Sequence, residues 1–173
     1  MDHVTLLAED GSAVGTLPKD QVHTFETPLH LAFSCHIRDR AGRILVTRRA
    51  LAKQTWPGVW TNSFCGHPRP GEEMIDAVRR RAVEELGIQL DDVRLALPEY
   101  RYRAVDASGI VENEICPVHV AVVDADPVAN PDEVAEWAWA DADELVDAVA
   151  AAPFAFSPWL REQLPLLRAI GKV

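Results

Sequence analysis

Apolar and polar positions alternate through residues 29–38 (LHLAFSCHIR), which predicts a β-strand. A turn signal follows at residues 39–42 (DRAG), and residues 43–48 (RILVTR) predict a second strand, so the two form a hairpin. Residues 56–64 (WPGVWTNSF) are broken by Pro57 and Gly58 and read as a loop entering a short strand. The period then changes. Across residues 72–86 the apolar positions Ile75, Val78, Ala82 and Leu86 recur at helical spacing, with Glu72 and Glu73 suited to a first turn and Gly87 to a stop.

Strands resume at residues 93–103 and 113–123, the second pushed toward an edge or a bulge by Pro117. Ser108-Gly109 marks the turn between them. Residues 135–140 (AEWAWA) alternate again. Residues 140–152 predict a helix capped by Asp141, with Glu144 completing a capping box. A last amphipathic helix starts after Ser157, with Pro158 at its first position. Strands, a helix, strands and then helices give an α+β domain, a mixed β-sheet sandwiched by helices and spanning residues 1–173.

Composition adds limits. The chain is 48% hydrophobic and 25% charged, ordinary for a globular protein, and no apolar run is long enough to span a bilayer. The opening MDHVTLLAEDG lacks a basic region followed by an apolar block, so no secretory signal is expected. Three cysteines (Cys35, Cys65, Cys116), an odd number far apart, fit a reducing compartment, and a cytoplasmic protein is expected. No interface signal is present, which favours a monomer. A net charge of −10 argues against a nucleic-acid partner. Basic residues still cluster at Arg48, Arg49 and Lys53 and at Arg79–Arg81, which suits a small anion of diphosphate size. Arg79 reads as simply solvated.

Candidate chemistry centres on two stretches. Glu112 and Glu114, two apart on a strand, point to one face; they are either a solvated edge or a pair of ion ligands. His23, His30 and His67 lie in segments that could converge with them, a donor set suited to Mn²⁺, Mg²⁺, Fe²⁺ or Zn²⁺. His36 and His119 read as packed or surface histidines, and His3 as disordered. Cys65-Gly66-His67 admits three readings: part of a metal site, a nucleophile with its base, or a buried thiol beside an imidazole. Cys35 and Cys116 read as buried thiols, and Trp56, Trp60, Trp137 and Trp139 as core.

From Gly66 the chain runs G-x5-E-x7-R through Glu72 and Arg80, then R-A-V-E-E-L-G-I over residues 81–88. This 23-residue stretch resembles the Nudix box, a loop–helix–loop that holds a divalent ion beside a diphosphate. Arg81 stands where Nudix hydrolases usually carry a metal-binding glutamate, and Ala82 is small for the apolar position after it. That substitution removes a ligand and adds a phosphate partner. Longer stretches resemble a narrower family, the type 1 isopentenyl-diphosphate Δ-isomerases. They are GTLPKDQVH (15–23), LHLAFS (29–34), ILVTRRA (44–50), KxxWPGVWTNSxCGHP (53–68), RYRA (101–104), SGIVENExCPV (108–118) and FSPW (156–159).

The resemblance implies a Nudix-like fold and interconversion of isopentenyl and dimethylallyl diphosphate, without flavin. It implies that His23, His30, His67, Glu112 and Glu114 bind one Mn²⁺ or Mg²⁺, and that Glu85 helps hold a second Mg²⁺ on the substrate. Lys19, Arg49, Lys53 and Arg81 match diphosphate contacts, and Cys65 and Glu114 match the two catalytic residues. Tyr102 matches a partner of Glu114 that relays its proton, and Trp159 an aromatic cap over the carbocation. On this reading Glu114 with Tyr102 protonates the alkene and Cys65 removes the other proton, its pKa lowered by the basic helix nearby. Gly66 lets the backbone approach the substrate. A Nudix hydrolase of nucleoside diphosphate derivatives is the competing expectation.

Overall fold

The computed structural model describes residues 2–173. The chain opens on β1 (His3–Leu7) and β2 (Ala13–Pro18), an antiparallel pair, followed by the single turn α1 (Lys19–Val22). Then come β3 (His30–Leu31), β4 (Phe33–Arg38), β5 (Ile44–Arg49), β6 (Trp60–Thr61) and β7 (Phe64–Gly66). The helix α2 (Met74–Leu86) precedes β8 (Val93–Leu97), β9 (Arg101–Val105), β10 (Val111–Ile115), β11 (Val118–Val122) and β12 (Val134–Ala140). Two helices close the chain, α3 (Ala142–Ala151) and α4 (Pro158–Ala169). The arrangement is α+β, with the strands divided between two sheets ordered β2-β1-β3-β10-β9 and β12-β5-β4-β11-β8; β6 pairs with β5 and β7 with β4.

Three expected strands are each cut in two. Residues 29–38 change sheets at Ala32, whose N–H donates to Ile115 O. Pro117 cuts residues 113–123 at the matching place, so it is neither an edge nor an interior strand residue but the point of the switch. The two switching segments run parallel: Glu114 pairs with His30 in one sheet, Val118 with Ser34 in the other. Residues 93–103 break before Arg101 and also join both sheets. The expected hairpin keeps one ladder pair, Arg38 with Ile44, because β6 and β7 then fill the space between its arms. His3, expected to be disordered, opens β1.

The larger sheet is buried on both faces. Leu45 and Ile37 pack toward α2, in a cluster with Ala77, Val78, Ala82 and Leu86. Ile44 and Val46, one position out of phase with Leu45, pack against Leu145 and Val149 of α3 and Leu160 and Leu164 of α4. A strand rich on both faces therefore reads as a continuous apolar run, as residues 44–46 do.

Helix ends follow their local chemistry. α2 stops at Gly87, whose φ of 65° is left-handed and suits a residue without Cβ. Its start lies at Met74 with Glu73 as cap, so Glu72 falls outside the first turn. Glu72 instead binds Arg80 through two oxygens at 2.7 and 2.8 Å, while Arg80 also reaches His67 O. The G-x5-E-x7-R spacing thus clamps the loop carrying His67 onto α2. At α3 the Asp141 carboxylate accepts from Asp143 N and Glu144 N, and at α4 Ser157 Oγ accepts from Leu160 N.

Candidate active site

The sheet switch at Ala32 and Pro117 places His30 beside Glu114. Glu114 Oε1 lies 3.4 Å from His30 Nε2 and 3.1 Å from His67 Nε2. On its other side, across the β10–β9 ladder, Glu114 faces Tyr102. Among the described residues the Tyr102 hydroxyl makes no hydrogen bond to Glu114. Its ring stacks on Tyr100 and lies 5.6 Å from that of Trp159.

His23, delivered by the turn after α1, completes a group with His30, His67 and Glu114 whose donor atoms all lie within 4.8 Å of one another. The three imidazoles sit 5.1–5.6 Å apart by ring centroid. Glu112 adjoins this group through Oε2, 2.9 Å from His23 Nε2, while its Oε1 accepts from Thr55. Several of these atoms are buried without a hydrogen bond: His23 Nε2, His30 Nε2 and Glu112 Oε2. His30 Nδ1 donates to Pro28 O at 2.9 Å, and a carbonyl can only accept, so in the neutral ring Nε2 keeps its lone pair. Burial pulls His67 down to about 3, leaving a neutral imidazole. Burial opposes ionisation of Glu114, yet its contacts with His30 and His67 hold it well below the usual carboxylate range. Imidazole nitrogens and carboxylate oxygens facing one point, several of them with hydrogen bonds unmade, fit a divalent ion.

His23, His67, Glu112 and Glu114 line a cavity of about 450 Å³, which Lys19, Arg49, Lys53 and Arg81 also line, while His30 is buried beneath it. Burial brings Lys53 down to about 8, with Arg49, Lys19 and Arg81 adding to the shift against the pull of Glu85. Burial lowers Lys19 too, with Arg81 contributing. Cations crowded enough to discourage one another's protonation favour an anionic ligand. Arg81 and Glu85 are buried and paired with each other. Arg79 is exposed as expected, although its guanidinium caps Leu90 O and Asp91 O.

Glu133 is the residue that sequence reading missed. It contacts both Lys53 and Arg81 from the turn just before β12, and no local pattern around ANPDEVAE marks it.

Cys65 lines the same cavity from β7. Its thiol is pushed up to about 12, by burial first and by Glu114 among the lesser causes, so the expected lowering by a basic helix does not occur. Cys35 and Cys116 are buried and free. Gly66 also lines the cavity and has a packing role besides. A Cβ there would lie 2.9 Å from both Arg81 Cγ and Phe33 Cζ, so the glycine admits the stem of Arg81. Trp159 is buried on α4; its indole N–H donates to Asn62 Oδ1, the Arg49 guanidinium lies 5.5 Å from its ring, and Trp56 packs edge-on against it.

Residues 28–165 match the Nudix domain family. A protein of Clavibacter sepedonicus named isopentenyl-diphosphate Delta-isomerase is 62% identical over 164 residues, covering 95% of this chain and 86% of its own. One of Leifsonia xyli subsp. xyli with the same name is 61% identical over 170 residues, 97% of this chain and 92% of its own. The crystal structure of a Deinococcus radiodurans protein shares the fold, with a TM-score of 0.74 at 22% identity over 95% of this chain and 98% of that one. The chain belongs to the Nudix family and, within it, to the isopentenyl-diphosphate Δ-isomerases.

Proposed function

We propose that the protein interconverts isopentenyl diphosphate and dimethylallyl diphosphate, moving a double bond by one carbon. The observation that carries this reading is the single cavity in which four cations, the imidazole–carboxylate group and Cys65 meet. Lys19, Arg49, Lys53 and Arg81 would take the diphosphate and so fix the alkene in the apolar part near Phe64 and Trp159. An alkene is a poor base, so one group must protonate it while another removes a proton from the neighbouring position. Cys65 and Glu114 would form that pair, each giving in one direction of the reaction and taking in the other. Tyr102, opposite Glu114, would relay its proton, and the Trp159 face would stabilise the tertiary cation by about 2 kcal/mol or less.

His23, His30, His67, Glu112 and Glu114 would hold Mn²⁺ or Mg²⁺, and Glu85 would help hold Mg²⁺ on the diphosphate. A bound divalent ion would fix the Glu114 carboxylate and tune its acidity. Every one of these residues comes from one chain, which suits a monomer of residues 1–173, and three free cysteines suit the cytoplasm. No helix among the described residues is long and apolar enough to cross a membrane.

The test is incubation with isopentenyl diphosphate and Mg²⁺ in deuterated water. The expected result is dimethylallyl diphosphate carrying deuterium, without added flavin. No exchange by metal-loaded protein would overturn the reading, and phosphate release from nucleoside diphosphate derivatives would favour a hydrolase.

A further inference from the structure

Asn62 is fully buried just after β6, and its side chain makes five hydrogen bonds. Both donor positions of its amide are used on backbone carbonyls, Cys35 O at 2.9 Å and Phe64 O at 2.8 Å. The amide therefore has one orientation, and its Oδ1 faces the active site. Three donors converge on that oxygen: Thr61 Oγ1 at 2.9 Å, Trp159 Nε1 at 2.9 Å and Cys65 Sγ at 3.3 Å. Thr61 Oγ1 also lies 2.8 Å from Ser157 Oγ, which accepts from Leu160 N; either hydroxyl can donate to the other, and where Thr61 gives its hydrogen to Asn62 Oδ1 it accepts that of Ser157. An amide oxygen has two lone pairs, so three donors oversubscribe it, and a thiol is the weakest of the three.

On the far side of the sulfur, Ser34 Oγ lies 3.3 Å from Cys65 Sγ. Gln163 Nε2 donates to Ser34 Oγ at 2.9 Å, and Gln163 Oε1 accepts from His36 Nε2. Ser34 Oγ also lies 3.4 Å from Cys116 Sγ, so its own hydrogen can turn to either sulfur. The sulfur sits between an oxygen that can only accept and a hydroxyl able to donate.

We propose that Asn62 is a positioning residue that sets Cys65 and Trp159 together: one buried amide oxygen, fixed by two backbone carbonyls, holds the thiol hydrogen and the indole N–H, with Ser34 on the far side of the sulfur. The kinetic part of this inference rests on the isomerase reading; the hydrogen-bond part does not.

Raman difference spectra of wild type minus Cys65→Ala isolate the Cys65 S–H stretch without any turnover. Wild type should show a hydrogen-bonded band. Thr61→Val, nearly isosteric, removes one competing donor, so the band should move further to low frequency. kcat should then fall by roughly tenfold or less, the size of one hydrogen bond, with KM within about twofold. Asn62→Ala should move the band to the free-thiol position and lower kcat by roughly 100-fold, as for a misplaced reacting group. If Asn62→Ala does not fold, Thr61→Val decides alone. A free-thiol band in wild type, a band unmoved by Thr61→Val, or a moved band with unchanged kcat overturns the proposal. Wild-type protein with the expected band and no isomerase activity would instead sink the functional reading and leave the hydrogen bond standing.

Discussion

Glu133 Oε1 lies 3.1 Å from Arg81 Nη2, and the other oxygen of the same carboxylate contacts Lys53. One acid thus occupies two of the four cations proposed to take the diphosphate. A substrate entering the cavity competes with Glu133 for both. Glu133→Gln should therefore tighten inorganic pyrophosphate binding by roughly fivefold, the worth of a partly screened pair of about 1 kcal/mol. Both KM and kcat should fall, since product leaves more slowly. Calorimetric titration of pyrophosphate, with and without Mg²⁺, checks this. Weaker binding confined to the Mg²⁺ titration would make Glu133 a support for the metal–diphosphate complex instead.

Lys53 gives the cavity a pH limit. Its ammonium, brought down to about 8 by burial and neighbouring cations, is charged below that value and neutral above it. Diphosphate binding needs the charged form, so kcat/KM should decline as pH rises through about 8. Bound diphosphate favours the ammonium, so the decline in kcat should come at higher pH than that in kcat/KM. Lys53→Arg keeps its charge throughout and should move the limb of kcat/KM upward. An unchanged limb in that variant would assign it to another group.

Cys65 and Glu114 should separate in their dependence on metal. Cys65 is outside the group of imidazole and carboxylate donors, whereas Glu114 contributes an oxygen to it. Cys65→Ser should nearly abolish turnover and leave bound metal close to the wild-type amount. Glu114→Gln should lose turnover and part of the metal, because one residue serves both purposes. Elemental analysis of the purified variants, beside a turnover assay, reads the two effects apart. Metal lost from Cys65→Ser would make the sulfur a ligand.

How much of this site is visible in the chain alone differs residue by residue. The helix over residues 74–86 and the helix after Ser157 were legible because capping and 3.6-residue spacing are local. The strand cuts at Ala32 and Pro117 were not. A β-prone run states its alternation but not its partners, and here the partner changes within one run. The hairpin of β1 and β2 was invisible for another reason: β2 is mostly exposed on both faces and carries no alternation to read. The spacing of Glu112 and Glu114 only suggested a metal site, and the full set of proposed ligands came from long motifs. Burial of Arg81 and Glu85 could not be foreseen, because charged helix positions ordinarily face water unless a partner neutralises them. Asn62 lay within a quoted motif, yet its role depends on Cys35, Phe64 and Trp159, which only folding brings to it.

Gly66 offers the last test, because its close packing links the core to the cavity. A methyl group there would meet Phe33, which is fully buried, and the stem of Arg81, both at 2.9 Å. Phe33 has nowhere to move, since it is enclosed by Phe64 and His119 at ring distances of 5.9 and 6.3 Å. Arg81, the more adaptable of the two, should yield and carry its guanidinium away from Glu85 and Glu133. Gly66→Ala should therefore cost about 1–3 kcal/mol of stability, as overpacking does. It should also raise KM for isopentenyl diphosphate more than it lowers kcat, because a displaced cation weakens diphosphate binding before it touches the reacting carbons. Denaturant melts and steady-state kinetics read these separately. A stability loss with unchanged KM would mean that Phe33, not Arg81, absorbs the added methyl.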